Sequence, residues 1–360
     1  MAESESSSFP LVTLRAAAGV QHDWTAILVR PDSPAALARI FASAELLTAL
    51  APLDCIVYLA DLALDSSLLA AMPPARVLFA IDASLLADAP AAVQALQAGG
   101  YRILVGHTST LMPLAPHGGP HLACQVDSHR RLEEAIRAGF TSFSGNYALE
   151  AQPASQGDDG TTRKRLLALL ALLARDADSR ELEAQLKQDP ALSYHLLKLV
   201  NSAAFAVSTP IHSFGQAISV IGRRQLQRWL QLLLYARAQQ NGPTNPLLAV
   251  AALRAAQLEV LAKLAGGDRD AQDLAFMTGV FSLLDVLLGM PMDEIVATLS
   301  LPRAAAAALL GRDGELGSLL ALVERDPDSE MLARAGISPH AFWHSQLHAF
   351  HWAIQVSRNL

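Results

Sequence analysis

The 360-residue chain has only two cysteines, Cys55 and Cys124, and they form no C-x-x-C pair. A disulfide framework and a cysteine-based zinc knot are thereby excluded, and both thiols read as ordinary buried side chains. Charged residues are also sparse, at 17 % against 52 % hydrophobic. That balance excludes a disordered or coiled-coil chain and predicts packed, soluble cores. No apolar run reaches about 18 residues without an interrupting Arg, Asp, Gln or Pro, so no membrane span is expected. The opening MAESESSSFP lacks the basic start and apolar stretch of a secretory signal, which predicts a cytoplasmic protein. A formal net charge of −7 argues against nucleic acid or anionic membrane as a partner and favours a protein or small ligand. Phosphate-binding loops, nucleophile elbows and Cys/His zinc patterns are absent from the sequence.

The length predicts two domains. Between about residues 24 and 150, short apolar runs alternate with helical stretches, the pattern of βα units around a largely parallel sheet. Six strands are expected, at Ala26–Arg30, Cys55–Ala60, Arg76–Ile81, Tyr101–Val105, His121–Val126 and Thr141–Phe143. Ser33-Pro34 marks a helix start, with Leu37, Ile40 and Phe41 on its apolar face. Gly99-Gly100 marks a helix end before Tyr101. The polar stretch AQPASQGDDGTT, residues 151–162, reads as a linker. The expected organisation is thus 1–150, a linker at 151–162, and 163–360. Beyond the linker, apolar residues recur at helical spacing, first at Leu166, Leu167, Leu170 and Leu173, then at Leu192, Leu196, Leu199 and Val200. Asp189-Pro190, Thr209-Pro210, Asn241-Gly242-Pro243 and Gly266-Gly267 divide this region into many helices.

The segment LLKLVNSAAFAVSTPIHSFGQAISVIG, Leu196 to Gly222, resembles the signature of HDOD domains. It joins a helix ending in Asn201-Ser202, a loop carrying Phe205 and Ile211, and a helix with Ala217-Ile218 that ends at Gly222. Asn201, Ser202 and Gly222 suit the ends of helices, where they satisfy backbone groups or permit a close turn, and a share in a recognition surface is the alternative. The resemblance implies an all-α domain related to HD phosphohydrolases, whose metal ions are held by His and Asp. The segment TGVFSLLDVLLG, Thr278 to Gly289, is similar to the helix bearing the His-Asp doublet, but Ser282-Leu283 stands in its place. The chain has no histidine between His212 and His340. Asp285 alone reads as a solvated or hydrogen-bonded carboxylate. Metal-dependent hydrolysis of that kind is not expected.

The N-terminal region resembles a shortened, degenerate EAL domain, whose full form is a TIM-like barrel that cleaves cyclic di-GMP. In TAILVR, Thr25 to Arg30, Ala26 falls at the metal-binding glutamate. In GYRILVGHT, Gly100 to Thr108, Gly106-His107 stands where the resemblance implies two carboxylates. The stretch from Arg131 to Leu149 is similar to the closing helix and strand, with Ser144-Gly145 replacing Gln-Gly. Residues 1–163 contain no lysine, whereas the resemblance implies one near the attacking water. Arg30 and Arg102 are the tentative contacts for a phosphate-bearing ligand, against a purely structural role for each.

His340, His344, His348 and His351 lie along one face of the last helix. They read as a partly exposed structural stripe because no HExxH pattern or nearby Cys completes a metal site. Phe342, Trp343, Leu347, Phe350 and Ile354 are its expected buried anchors. Arg223, Arg224, Arg228 and Arg237 give another helix a basic side that reads as solvated. The resemblances together imply a bacterial signal-transduction regulator without catalysis, metal or cofactor. It would act on a signalling protein, such as a cyclic-di-GMP enzyme or a response regulator. A non-hydrolysing cyclic-di-GMP receptor is the alternative.

Overall fold

The computed structural model describes residues 9–31, 33–59, 66–82, 87–107, 121–150, 161–175, 177–188, 190–201, 210–235 and 245–359. The chain divides into two compact units. The first comprises Met1–Glu150 with Asp326–His351, and the second Ala151–Arg325 with Trp352–Leu360.

The first unit is built on a closed barrel of seven strands in sequential order: β1 (Val12–Ala18), β2 (Trp24–Pro31), β3 (Asp54–Leu59), β4 (Val77–Asp82), β5 (Arg102–His107), β6 (His121–Cys124) and β7 (Ser142–Ser144). Strands β2 to β7 run parallel. Strand β1 is antiparallel to both β2 and β7 and closes the barrel. This seventh strand is a correction to the six expected, since VTLRAAA carries three alanines and little β-propensity of its own. Its place comes from pairing with neighbours on both sides. The other six strands fall within one or two residues of their expected bounds.

Inward-facing residues of every strand except β7 fill the barrel interior: Ala17, Ala26, Leu28, Ile56, Leu78, Ala80, Leu104, Leu122 and Cys124. Alternation puts one face inside and the other under the helices. The outer face carries Ala123 and Phe143, packed with Val126, Leu132, Ala135, Phe140 and Tyr147. Among the described residues up to Glu150, the helices of this unit are α1 (Pro34–Ile40), α2 (Glu45–Ala49), α3 (Ser66–Ala71), α4 (Pro90–Ala98) and α5 (His129–Arg137). Ser33 caps α1 by accepting from the Ala36 amide at 3.2 Å, and Leu37, Ile40 and Phe41 are buried. At the end of α4, Gly100 takes the left-handed turn at φ 87°.

The second unit is helical, with no strand among its described residues. It contains α6 (Thr161–Ala174), α7 (Ser179–Leu186), α8 (Pro190–Val200), α9 (Phe214–Ile221), α10 (Arg223–Leu233), α11 (Pro246–Leu264), α12 (Arg269–Phe281), α13 (Leu284–Leu288), α14 (Met292–Leu299), α15 (Arg303–Gly311) and α16 (Gly314–Glu324). Helix α6 starts within the expected linker, at Thr161, and residues 151–160 lie outside the described ones. Gly279 on α12 meets Ala255 on α11 so closely that an added Cβ would fall 2.6 Å from the Ala255 Cα. The stretch Arg269–Leu288 is long and apolar enough to cross a membrane by composition, yet 61 % of its most apolar window is buried inside the protein, as in a core helix. Two further helices complete the chain, α17 (Ser329–Arg334) and α18 (Pro339–Asn359). Residues of α18 up to His351 belong to the first unit, and those from Trp352 to the second.

Candidate functional site

The parallel strands of the barrel end in a polar plug. Tyr58, near the end of β3, donates to Asp82 Oδ1 at the end of β4, at 2.6 Å. Arg30, near the end of β2, lays its guanidinium over the Tyr58 ring at 4.7 Å. Burial and the bond to Asp82 push the Tyr58 hydroxyl far above its ordinary pKa. Below them the interior is aliphatic. Ala26 lies in that cluster and is 6 % exposed, so no carboxylate reaches the centre from this position. Gly106 faces the plug, and an added Cβ there would meet the Tyr58 ring at 3.1 Å. His107 points to the outer face, buried, with Nε2 3.2 Å from His121 Nδ1 and its ring edge-on to Phe140.

Arg30 and Arg102 do not converge. Arg30 lies near the end of β2, whereas Arg102 opens the parallel strand β5 and pairs with Asp54 at 2.8 Å, where β3 begins. They belong to opposite mouths of the barrel. Arg30 Nε is buried without a hydrogen-bond partner, while Arg102 is half exposed and ion-paired. Gly145 has a backbone explanation, since an added Cβ would lie 2.3 Å from Val126 O. That close approach lets Val126 bond to Ser144 O and Tyr147 bond to Val126 O. Both cysteines are buried and free. Burial holds the Cys55 thiol up at about 12 and raises that of Cys124, so neither is a ready nucleophile.

In the helical unit, Asn201 acts as a clamp across the segment between α8 and α9. Its Nδ2 donates to Ile211 O at 2.8 Å, and its Oδ1 accepts from Ile211 N at 2.7 Å. A second Nδ2 bond reaches Leu197 O at 2.8 Å. The carboxamide thus pairs with a peptide group as a neighbouring strand would. Ser202 and Phe205 lie outside the described residues. Ser213 then caps α9 through the Gln216 amide at 3.2 Å, and Gln216 Oε1 returns to the His212 amide at 2.8 Å, a reciprocal capping arrangement. Ile211 and Ala217 are buried, and Ile218 is partly buried. Gly222 separates α9 from α10 at φ 80° and ψ 149°, a backbone region open to glycine alone.

Ser282 and Leu283 sit between α12 and α13 at the centre of this unit. Leu283 is 2 % exposed. Ser282 Oγ accepts from Arg254 Nη1 at 3.0 Å and donates to Gly279 O at 2.8 Å. Arg254 also reaches Glu324 Oε1 at 3.2 Å, and Glu324 is held by both Arg312 Nε and Nη2 at 2.7 Å. Burial lowers the Arg254 pKa, opposed chiefly by Glu324. Tyr235, fully buried, donates to Val280 O at 2.5 Å. This buried arginine–glutamate hub left no sequence signal, because Arg254, Ser282, Arg312 and Glu324 come from four separate elements. Asp285 is partly exposed, and its Oδ1 is buried without a hydrogen-bond partner.

The basic side of α10 is not a solvated face. Arg228, with its side chain 17 % exposed, pairs with Glu259 at 2.5 Å and Asp273 at 2.8 Å and lies over the Phe276 ring at 4.6 Å. Arg224 pairs with Asp273, and Arg223 donates to Ser179 Oγ at 2.9 Å. Arg237 lies outside the described residues. These groups wall a cavity of about 430 Å³ whose other lining includes Leu173, Gln227, Gln231, Phe276 and Met277. Its guanidinium groups are already committed to acids and hydroxyls, so it carries little free positive charge. Gln231 Oε1 and Arg228 Nε in this wall are buried without hydrogen-bond partners.

The family model of the HDOD domain matches residues 162–287, which include the Asn201 clamp, Arg254 and Ser282, while Arg312 and Glu324 of the hub lie beyond the match. The helical unit contains an HDOD domain. YuxH, an uncharacterized protein of Bacillus subtilis (strain 168), is 29 % identical over 206 residues, covering 56 % of this chain and 50 % of that one. The cyclic di-GMP phosphodiesterase CdgJ of Vibrio cholerae serotype O1 is 30 % identical over 204 residues, covering 56 % of this chain and 47 % of that one. The chain thus spans about half the length of the curated relatives it matches. A solved HDOD domain protein of unknown function from Geobacter sulfurreducens aligns over 52 % of this chain and 82 % of that one, at 14 % identity and a TM-score of 0.33.

Proposed function

We propose that the protein is a non-catalytic signal-transduction regulator that docks a signalling protein, a cyclic-di-GMP enzyme or a response regulator. The observation that carries this reading is Ser282 bonded to Arg254 within the Arg254–Glu324–Arg312 hub. A cation placed beside that hub would face the buried Arg254 guanidinium and the partly exposed one of Arg312, which opposes metal binding. The barrel points the same way when read as a shortened, degenerate EAL-like domain. Ala26 supplies no metal-binding oxygen from its side chain, and the Tyr58 ring occupies the space beside Gly106. A likeness over half of CdgJ, itself named a cyclic di-GMP phosphodiesterase, brings cyclic-di-GMP signalling into the proposal as context. The test is an assay of cyclic di-GMP hydrolysis with Mg²⁺ and Mn²⁺, paired with crosslinking to such partners. No product together with a specific crosslinked signalling protein supports the regulator. Turnover abolished by a chelator overturns it.

Arg30 favours a second reading, a non-hydrolysing cyclic-di-GMP receptor. Its buried, unpartnered Nε lies where the parallel strands end, the mouth at which barrels of this kind bind ligands. Titration calorimetry separates the two readings. Binding weakened by Arg30→Ala and unaffected by Arg102→Ala supports a receptor using one mouth, and no heat removes it.

A further inference from the structure

The histidine face of α18 is not uniform. His351 Nδ1 lies 3.1 Å from Ala49 O, and His344 Nδ1 lies 2.6 Å from Glu45 Oε1, so α2 runs along this face within the first unit. His340 and His344, one turn apart, bring their Nε2 atoms to 3.0 Å. Their ring centroids lie 4.3 Å apart, with the planes at 80°. The Phe9 ring packs edge-on to His340 at 5.1 Å. The His344 side chain remains 40 % exposed, so an ion could reach it from solvent.

The protonation pattern follows from these contacts. Nδ1 of His344 faces a carboxylate and therefore carries the proton there, which leaves the neutral ring's lone pair on Nε2. His340 then fills the 3.0 Å gap by donating its own Nε2 proton. Moving that proton to Nδ1 of His340 leaves a lone pair on each of the two facing Nε2 atoms, and a small turn of the rings would aim both at one ion. A tetrahedral zinc site with metal–nitrogen bonds of about 2.0–2.1 Å needs its nitrogens about 3.3 Å apart, so the rings must part by only a few tenths of an ångström. The Glu45–His344 pair reproduces the carboxylate that orients a metal-bound imidazole from behind.

We propose that His340 and His344 form a two-imidazole site for a borderline divalent transition metal of the zinc, nickel or cobalt class, with Glu45 orienting His344 and water completing the coordination. Among the described residues no three His, Cys, Asp or Glu side chains gather as a metal cage, so this is an exchangeable two-ligand site. Binding there links α18 to α2 through His344 and Glu45. His107 and His121 are another close imidazole pair, but they are 6 % and 5 % exposed and sealed from solvent.

The test uses the full-length chain without a polyhistidine tag. Co²⁺ is the spectroscopic probe, and Zn²⁺ is titrated by calorimetry. One ion per chain is expected, lost in the His340→Ala/His344→Ala double variant at unchanged circular dichroism. Glu45→Gln should keep the stoichiometry and weaken binding about 10–100-fold, the effect of removing an outer-shell carboxylate. Should the double variant misfold, His344→Gln alone must weaken binding at least tenfold. Binding no tighter in the unmodified chain than in the double variant overturns the proposal, as does an ion lost instead in His107→Ala.

Discussion

The barrel and the helical unit fill their centres by opposite means. The barrel interior is an aliphatic stack under one tyrosine–aspartate bond, with small residues at Ala17, Ala26 and Ala80 and no side chain at Gly106 making room for larger neighbours. The centre of the helical unit holds a charged hub in which Arg254, 7 % exposed, and Arg312 share Glu324. In a barrel filled by apolar volume, shape limits what can change. In a unit built around buried charge, the limit is pairing.

The largest expected effect tests the charged centre. Arg254→Ala leaves Glu324 and Ser282 buried beside a void, and breaking a buried pair from one side costs about 3–5 kcal/mol. Arg254→Met fills the space but also removes the charge, so it should lose as much unless Glu324→Gln accompanies it. Because Glu324→Gln also takes the carboxylate from Arg312, the double change should recover only part of the loss. Denaturant unfolding followed by helical circular dichroism reads all three. Equal stability of Arg254→Ala and the native chain would break the contrast.

The matching test of the apolar barrel is one of volume. Gly145→Ala places a Cβ against the Val126 backbone, which cannot rotate away as a side chain can. The expected loss is about 1–3 kcal/mol, accompanied by weaker amide protection at Val126 and Tyr147 in hydrogen exchange. A neutral result would mean that the β7 end of the barrel yields to overpacking and that shape is not what limits it.

A smaller loss is expected from the polar clamp. Asn201→Ala removes the partner of the Ile211 amide and carbonyl, for about 1–2 kcal/mol by the usual cost of such bonds. Asn201→Asp keeps the acceptor and loses the donor, so it should fall between the two in thermal unfolding. Here the sequence was informative: Asn201, Gly222 and the helix between Ser213 and Gly222 could be read locally, because caps and turns are local chemistry. The six parallel strands were legible for the same reason, through apolar runs bounded by turn residues. What could not be read depended on distant partners. Strand β1 has alanines where a strand prefers branched residues, and its register comes from β2 and β7. Arg254 and Glu324, like Glu45 and His344, meet only after the chain has folded, and the α10 arginines look solvated until Asp273 and Glu259 are placed beside them.

The smallest effect concerns a titrating group of the barrel. His22 Nδ1 lies 3.3 Å from the Tyr147 hydroxyl, and its pKa is lowered from 6.5, chiefly by burial and then by His129, with Asp23 opposing. A histidine with a lowered folded pKa is neutral in both states above 6.5 and adds no pH dependence there. As pH falls below 6.5, the unfolded chain binds a proton that the folded chain resists, so stability declines until the folded pKa is passed. His22→Gln should therefore flatten part of the decline in thermal midpoint between about pH 6.5 and 5 without changing it at pH 8. An identical pH profile in the variant would mean that His22 is free to accept its proton in the folded barrel. The contrast between a shape-limited barrel and a charge-limited helical unit would then extend to their response to acid.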